Sequence, residues 1–123
     1  MVHLDVNGVM FSYGSKKVLD DVSFSITNGE IVGILGQNGS GKTTLLNCIN
    51  SEYRPKHGTV VIRDFSPEAL EHSESQSSSA DVQNLSNSER SRIIATVEQS
   101  SFMSFPFSVM ETVRMGRYSH TGM

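Results

Sequence analysis

The sequence predicts an α/β fold, and three features predict it. Polar and apolar residues alternate through the N-terminal stretch, as in strands with one buried face. Ile31–Leu35 is apolar on both faces, as in a strand covered from two sides in a parallel sheet. A glycine-rich stretch, Gly36–Gly41, then hands that run to residues whose apolar side chains recur at helical spacing, Leu45, Leu46 and Ile49.

Val2–Tyr13 reads as a strand or a bulged strand pair. Val2, Leu4 and Val6 alternate with His3, Asp5 and Asn7; Gly8 interrupts; Val9, Phe11 and Tyr13 resume on odd positions. Residues 14–17 form a turn, and Val22, Phe24 and Ile26 alternate with Ser23 and Ser25 in a second half-buried strand. Thr27-Asn28-Gly29 carries the Asn-Gly signal of a tight hairpin. The helical run covers Thr43–Asn50 and ends by Arg54-Pro55, because the residue before a proline is pushed out of helical geometry. Thr59–Ile62 is a further strand. Glu71–Ala80 holds five serines and almost nothing to bury, so it reads as a solvated loop or disordered insert. Order returns at Ser86, where Ser86-Asn87-Ser88-Glu89 fits a capping box opening a short helix. Ile93–Val97 then reads as a buried strand that delivers Glu98 and Gln99 at its end. Ser101–Phe107 is aromatic-rich and broken by Pro106, and Val109, Met110 and Val113 suggest a last short helix up to Gly116. There is no internal repeat.

With 123 residues and 37% hydrophobic content, the chain can build one small globular core. A net charge of −3 gives no broad basic surface for nucleic acid, so no nucleic-acid partner is expected. No stretch approaches the ~20 apolar residues that span a bilayer. The N-terminus lacks a basic region followed by an apolar core, so it does not read as a signal peptide, and a cytoplasmic location is expected. Cys48 is the single cysteine and reads as a small buried side chain.

Gly36, Gln37-Asn38-Gly39-Ser40 and Gly41-Lys42-Thr43 fit G-x-x-x-x-G-K-[ST], the phosphate-binding P-loop, between an expected strand and an expected helix. Phosphate oxygens need several donors converging on one point. Glycines let the backbone wrap closely enough for its N–H groups to face inward. The helix after the loop adds its unpaired amides and the positive end of its dipole. Lys42 can reach the terminal phosphates as a point charge, and the Thr43 hydroxyl can ligate Mg²⁺. The bland alternative is a glycine-rich turn with an incidental lysine, but the flanks agree with the motif on both sides. The cradle says nucleoside triphosphate without specifying the chemistry done on it.

The surrounding residues narrow the field. "MFSYGSKKVLDDVSFSITNGEIVGILGQNGSGKTTLLNCINSEYRPKHGTVVI", including P-x-x-G-x-V from Pro55 to Val60, resembles the N-terminal half of an ATP-binding-cassette (ABC) transporter ATPase. The likeness resumes at "RIIATVEQSSFMSFPFSVMETVRMGRYSHTG", whose phenylalanine-proline-phenylalanine run and GR-x-x-H ending look most like importers of iron complexes, haem or cobalamin. It covers nearly the whole chain except about residues 65–84. The resemblance implies the N-terminal portion of a P-loop NTPase core: an antiparallel β-subdomain, P-loop strand and first helix over residues 1–64, a Ser-rich insert over 65–85, and the Q-loop strand with the start of a helical subdomain over 86–123. It implies ATP and Mg²⁺ as ligands. Gly36, Gln37, Asn38, Gly39, Ser40, Gly41, Lys42 and Thr43, with Thr44 after them, would form the Walker A site. Tyr13 would stack on adenine, or serve as a strand-end core aromatic. Gln99 would be the Q-loop glutamine, ligating Mg²⁺ with Thr43 and sensing the γ-phosphate, so that Lys42 and Gln99 are the catalytic candidates. Phe102, Met103, Phe105 and Phe107 would face transmembrane permease subunits, or else pack within the helical subdomain. A second ATPase copy would complete a head-to-tail dimer, peripheral on the cytoplasmic face of the cell membrane.

The same resemblance marks what these residues lack: an LSGGQ signature, a Walker B strand ending in Asp-Glu, and a switch histidine. Leu85–Glu89 precedes Gln99 and lacks both glycines of a signature. In Thr59–Asp64, Arg63 interrupts the apolar run and Phe65, not a glutamate, directly follows Asp64. The histidines read as solvated or locally bonded. The expectation is a truncated or excised portion that binds nucleotide without hydrolysing it at a useful rate, since water activation and charge stabilisation are missing. In the family the strands beside Ile31–Leu35 come from the remainder, so that run is expected to present an open apolar edge. The competing readings are a non-hydrolysing nucleotide-binding or interaction module and a small nucleotide kinase.

Overall fold

A computed structural model describes residues 2–63, 79–99 and 106–117. Strand β1 runs His3–Tyr13 and β2 Lys16–Ile26. Helix α1 spans Lys42–Ile49, β3 His57–Arg63 and β4 Ser79–Asp81. A single 3-10 turn, Val82–Asn84, leads to α2, Asn87–Ile93, and α3 spans Val109–Met115. The four strands form one antiparallel sheet in the order β2-β1-β3-β4.

The alternation in β1 fixes the sheet's inner face. Leu4 stands opposite Ile26 and Ile62, and Val6 opposite Phe24 and Val60, so these side chains share a side. Gly8 then resets the parity. Its φ of +58° and the register shift between Val6 and Val9 form a bulge that returns Val9 to the inner face. The bulge also admits Gly58 of β3, where an added Cβ would fall 2.4 Å from the Gly8 carbonyl oxygen. On the outer face Asp5 accepts from Ser25 Oγ at 2.7 Å and pairs with Arg63 Nε at 2.7 Å. Inside, Val6, Val9, Leu19, Val60 and Ile62 pack with Leu45 and Cys48 of α1 and with Val82. Burial raises the Cys48 thiol above its ordinary value.

Four segments differ from the sequence expectation. Ile31–Leu35 joins no ladder with any described strand, and Leu35 is 95% exposed. A strand apolar on both faces needs a layer on each side and a ladder partner; the described residues supply no ladder partner and cover only the side of Val32 and Ile34, and that in part. Ile93–Val97 is not a strand either: Ile93 closes α2, residues 94–98 have no regular structure, and Val97 is 98% exposed. Asn28-Gly29 does turn, but it leads into the unpaired run, so no hairpin forms. Residues 79–85 are not solvent-borne throughout, because β4 pairs with β3 while Val82 and Leu85 are buried. The capping box at Ser86 and the helix ending at Gly116 are present as read.

Candidate functional site

The segment between β2 and α1 is held at several points. Glu30 N–H donates to the Thr27 carbonyl at 3.1 Å, and Thr27 N–H donates to Glu30 Oε2 at 3.1 Å. Hydrogen bonding with Thr27 holds the Glu30 carboxyl below its usual value. Further on, Ser40 N–H donates to the Gln37 carbonyl at 3.1 Å, tightening the loop. Space selects the glycines at its two ends. A Cβ on Gly36 would lie 2.6 Å from Ser40 Oγ, and one on Gly41 would lie 3.0 Å from Val18 Cγ1 of β2. Gly41 also has φ +103°, a left-handed conformation that other residues adopt at a cost. Lys42 turns back into the loop, and its Nζ donates to the carbonyls of Gly36 and, at 3.0 Å, of Gln37.

The start of α1 differs from the other helices. α2 and α3 both open with a serine capping box and carry a glutamate in the first turn, Glu89 and Glu111. α1 has neither a side-chain cap nor an acidic residue there. Its first helical bond runs from Leu45 N–H to the Gly41 carbonyl at 2.9 Å, so the amides of Lys42, Thr43 and Thr44 have no acceptor within the helix. A positive dipole end, free amides and an ammonium group thus converge on one loop. That donor set fits the oxygens of a polyphosphate.

Tyr13, at the end of β1, reaches the same helix: its hydroxyl and Thr44 Oγ1 are 3.0 Å apart. The bond satisfies the otherwise buried Thr44 hydroxyl. The Tyr13 ring meets Phe11 edge-to-face at 5.1 Å and Tyr53 edge-to-face at 5.9 Å. Tyr13, Gly36–Thr43 and Thr44 are therefore brought together, with Thr43 exposed. Gln99 is exposed and not part of the group; among the described residues no hydrogen bond or ion pair links it to the loop. Its neighbours Thr96 and Glu98 line a cleft with Asn50 and Glu52, beyond the opposite end of α1. Phe102, Met103 and Phe105 lie outside the described residues.

The profile of the family described as "ABC transporter" matches residues 19–121. The chain belongs to this family. Among its relatives, the "Cobalamin import ATP-binding protein BtuD" of Halobacterium salinarum is 40% identical over 118 residues, covering 96% of this chain and 26% of the relative. The "Probable iron chelatin transport ATP-binding protein" of Helicobacter pylori is 34% identical, covering 98% of this chain and 42% of the relative. The "Hemin import ATP-binding protein HmuV" of Pseudomonas entomophila is 34% identical, with coverage of 95% and 40%. The chain thus spans less than half the length of these relatives. The solved structure of an ATP-binding subunit of an ABC transporter superposes with a TM-score of 0.70 at 21% identity, covering 95% of this chain and 42% of that one, which shows the shared fold. An ATP-binding cassette crystallised in its ADP conformation gives 0.55 at 28% identity over 75% of this chain and 30% of its own.

Two features escaped sequence reasoning. Ser108-Val109-Met110-Glu111 is a capping box, legible as S-x-x-E, and it starts α3. Tyr53 carried no periodic signal, since its contact with Tyr13 depends on how the chain turns after α1.

Proposed function

We propose that the chain binds Mg²⁺-ATP through Gly36–Thr43 as part of the ATP-binding subunit of an ABC importer. The observation that carries this is the uncapped start of α1 facing a loop closed from within by Lys42. Amides of the loop and of Lys42, Thr43 and Thr44 would hold the phosphates. Lys42 would exchange its carbonyl partners for phosphate oxygens, and the exposed Thr43 hydroxyl would ligate Mg²⁺. The metal, when present, neutralises charge between the outer phosphates. Tyr13 would offer its ring to adenine. Gln99 would approach the γ-phosphate and Mg²⁺ only after the segment 94–99 is drawn towards the loop.

The relatives' names support cobalamin, an iron chelate or hemin as the class of cargo. The proposed partners are membrane permease subunits, met by the region after Gln99, and a second ATPase copy arranged head-to-tail. The corresponding place is the cytoplasmic face of the membrane, to which the chain would be peripheral; no described helix is long and apolar enough to cross one. Taken alone, these 123 residues would hold ATP without turning it over, because no residue among them matches a Walker B glutamate or a signature.

Calorimetric titration with ATP tests the reading. The expected result is Mg²⁺-dependent binding that Lys42→Ala weakens by at least about tenfold, the scale of one charge-assisted phosphate contact. Binding unaffected by Lys42→Ala, or no binding by the folded chain, would reject it.

A further inference from the structure

The rings around Tyr13 are ordered in a way that the phosphate loop does not require. The centroids of Phe11, Tyr13 and Tyr53 form a nearly equilateral triangle with sides of 5.1, 5.2 and 5.9 Å. Phe11 and Tyr53 are parallel within 9°, and Tyr13 stands at 81° to the first and 89° to the second. Two rings whose centres are 5.2 Å apart cannot lie on opposite faces of a third, because each face contact needs about 5 Å of its own. The two neighbours therefore leave at least one face of the Tyr13 ring uncovered, and the residue is 48% exposed.

Tyr53 is itself fixed by its backbone. Its N–H donates to the Asn47 carbonyl at 3.0 Å, and its own carbonyl accepts from Gln83 Nε2 at 3.2 Å. It comes two residues after Ser51, whose φ of +71° turns the chain back after α1. Hydrogen bonding with Tyr13 is the leading cause that raises the Tyr53 phenol above its ordinary value. The Tyr13 hydroxyl is also tethered to Thr44 in the first turn of α1.

We infer that Tyr53 is a positioning residue of the nucleotide site: braced between α1 and the 3-10 turn, it holds the Tyr13 ring upright, so that one face stays open to a planar heteroaromatic base beside the phosphate loop. The inference rests on the nucleotide reading above. Without the Tyr53 ring, Tyr13 folds into the vacated space and the stacking face closes. Tyr53 touches neither base nor phosphate, so its effect falls on the base alone.

The test is a pair of titrations, Mg²⁺-ATP and Mg²⁺-tripolyphosphate, on the chain and on Tyr53→Leu and Tyr53→Phe. The unsubstituted chain should bind ATP more tightly than tripolyphosphate. Tyr53→Leu should weaken ATP about fivefold, part of what base stacking contributes, and leave tripolyphosphate within about twofold. Tyr53→Phe keeps the ring and should restore ATP affinity to within about twofold of the unsubstituted chain. Equal loss of both ligands would reveal a merely structural role and overturn the inference, as would unchanged ATP affinity in Tyr53→Leu. If the unsubstituted chain binds neither ligand, the phosphate reading fails; if it binds both equally, the cradle stands and the base platform, with Tyr53's role, fails. Should Tyr53→Leu lose its native circular dichroism, nuclear Overhauser effects in the ATP complex decide. Contacts from adenine protons to Tyr13 and none to Tyr53 uphold the inference; contacts to Tyr53, or to neither ring, reject it.

Discussion

β1 and the run Ile31–Leu35 are both rich in branched apolar residues, but β1 interleaves them with polar ones and the run does not. An alternating strand asks for cover on one side only. β1 has it from Leu45, Cys48 and Val82, and it has ladder partners in β2 and β3. The run asks for cover on both sides and is fully covered on neither among the described residues: Val32 and Ile34 are about half covered, while Ile31 and Leu35 face solvent. Val97 and its neighbours repeat the pattern. A β-rich stretch is thus a request for neighbours, and its sequence states how many it needs. The loop Gly36–Gly41 lies between the two regimes: its far end is seated on Val18 and Leu19 of β2, while its near end is fed by the unpaired run.

The largest contrast is expected in stability. Leu45→Ala empties a site that is 7% exposed and should cost about 2–5 kcal/mol in urea unfolding. Leu35→Ala should change stability by no more than about 0.5 kcal/mol, as for other exposed positions. Equal losses would mean that the run is packed in solution, and would break the comparison. Next come two glycines with similar backbone angles, Gly58 at φ +88° and Gly29 at φ +83°. Gly58→Ala should cost about 3 kcal/mol, because strain and overlap with the Gly8 carbonyl add. Gly29→Ala meets nothing within 4 Å and should cost only about 1 kcal/mol of strain. A difference below the error of a thermal melt would show that the bulge yields to the new methyl.

The smallest effect is alkaline. Folding raises the Cys48 thiol, so the folded chain keeps that proton after the unfolded chain has lost it. The associated stability is full below the unfolded value, near 9.0, and is lost as pH rises through the higher folded value. Cys48→Ala should therefore lower stability at neutral pH through its cavity and yet flatten the decline above pH 9. A slope identical in the two proteins would place the thiol nearer solvent than its burial implies.

Local signals in the sequence were legible wherever their physics is local. The parity switch at Gly8, the capping box at Ser86 and the spacing of Leu45 and Ile49 involve residues a few positions apart, and all are present. The glycine-rich loop was legible for the same reason, since backbone reach and the lysine after it are read in order along the chain. Ile31–Leu35 and Ile93–Val97 misled because their outcome depends on partners distant in sequence. Composition concealed β4 in a serine-rich stretch, where pairing with β3 and the burial of Val82 outweigh a weak strand propensity. Tyr53 was invisible because its role is fixed by three long-range contacts, to Phe11, Tyr13 and Gln83.

The proposed grip of main-chain amides around Lys42 on a polyphosphate makes a direct spectroscopic prediction. It is tested most directly by amide chemical shifts in ¹⁵N-labelled protein titrated with Mg²⁺-tripolyphosphate. The largest, saturable shifts should fall on Gly36–Thr44, while the amides of α2 and α3, already capped by serine, stay still. Shifts spread evenly over the surface lysines and arginines, or none within Gly36–Thr44, would contradict it.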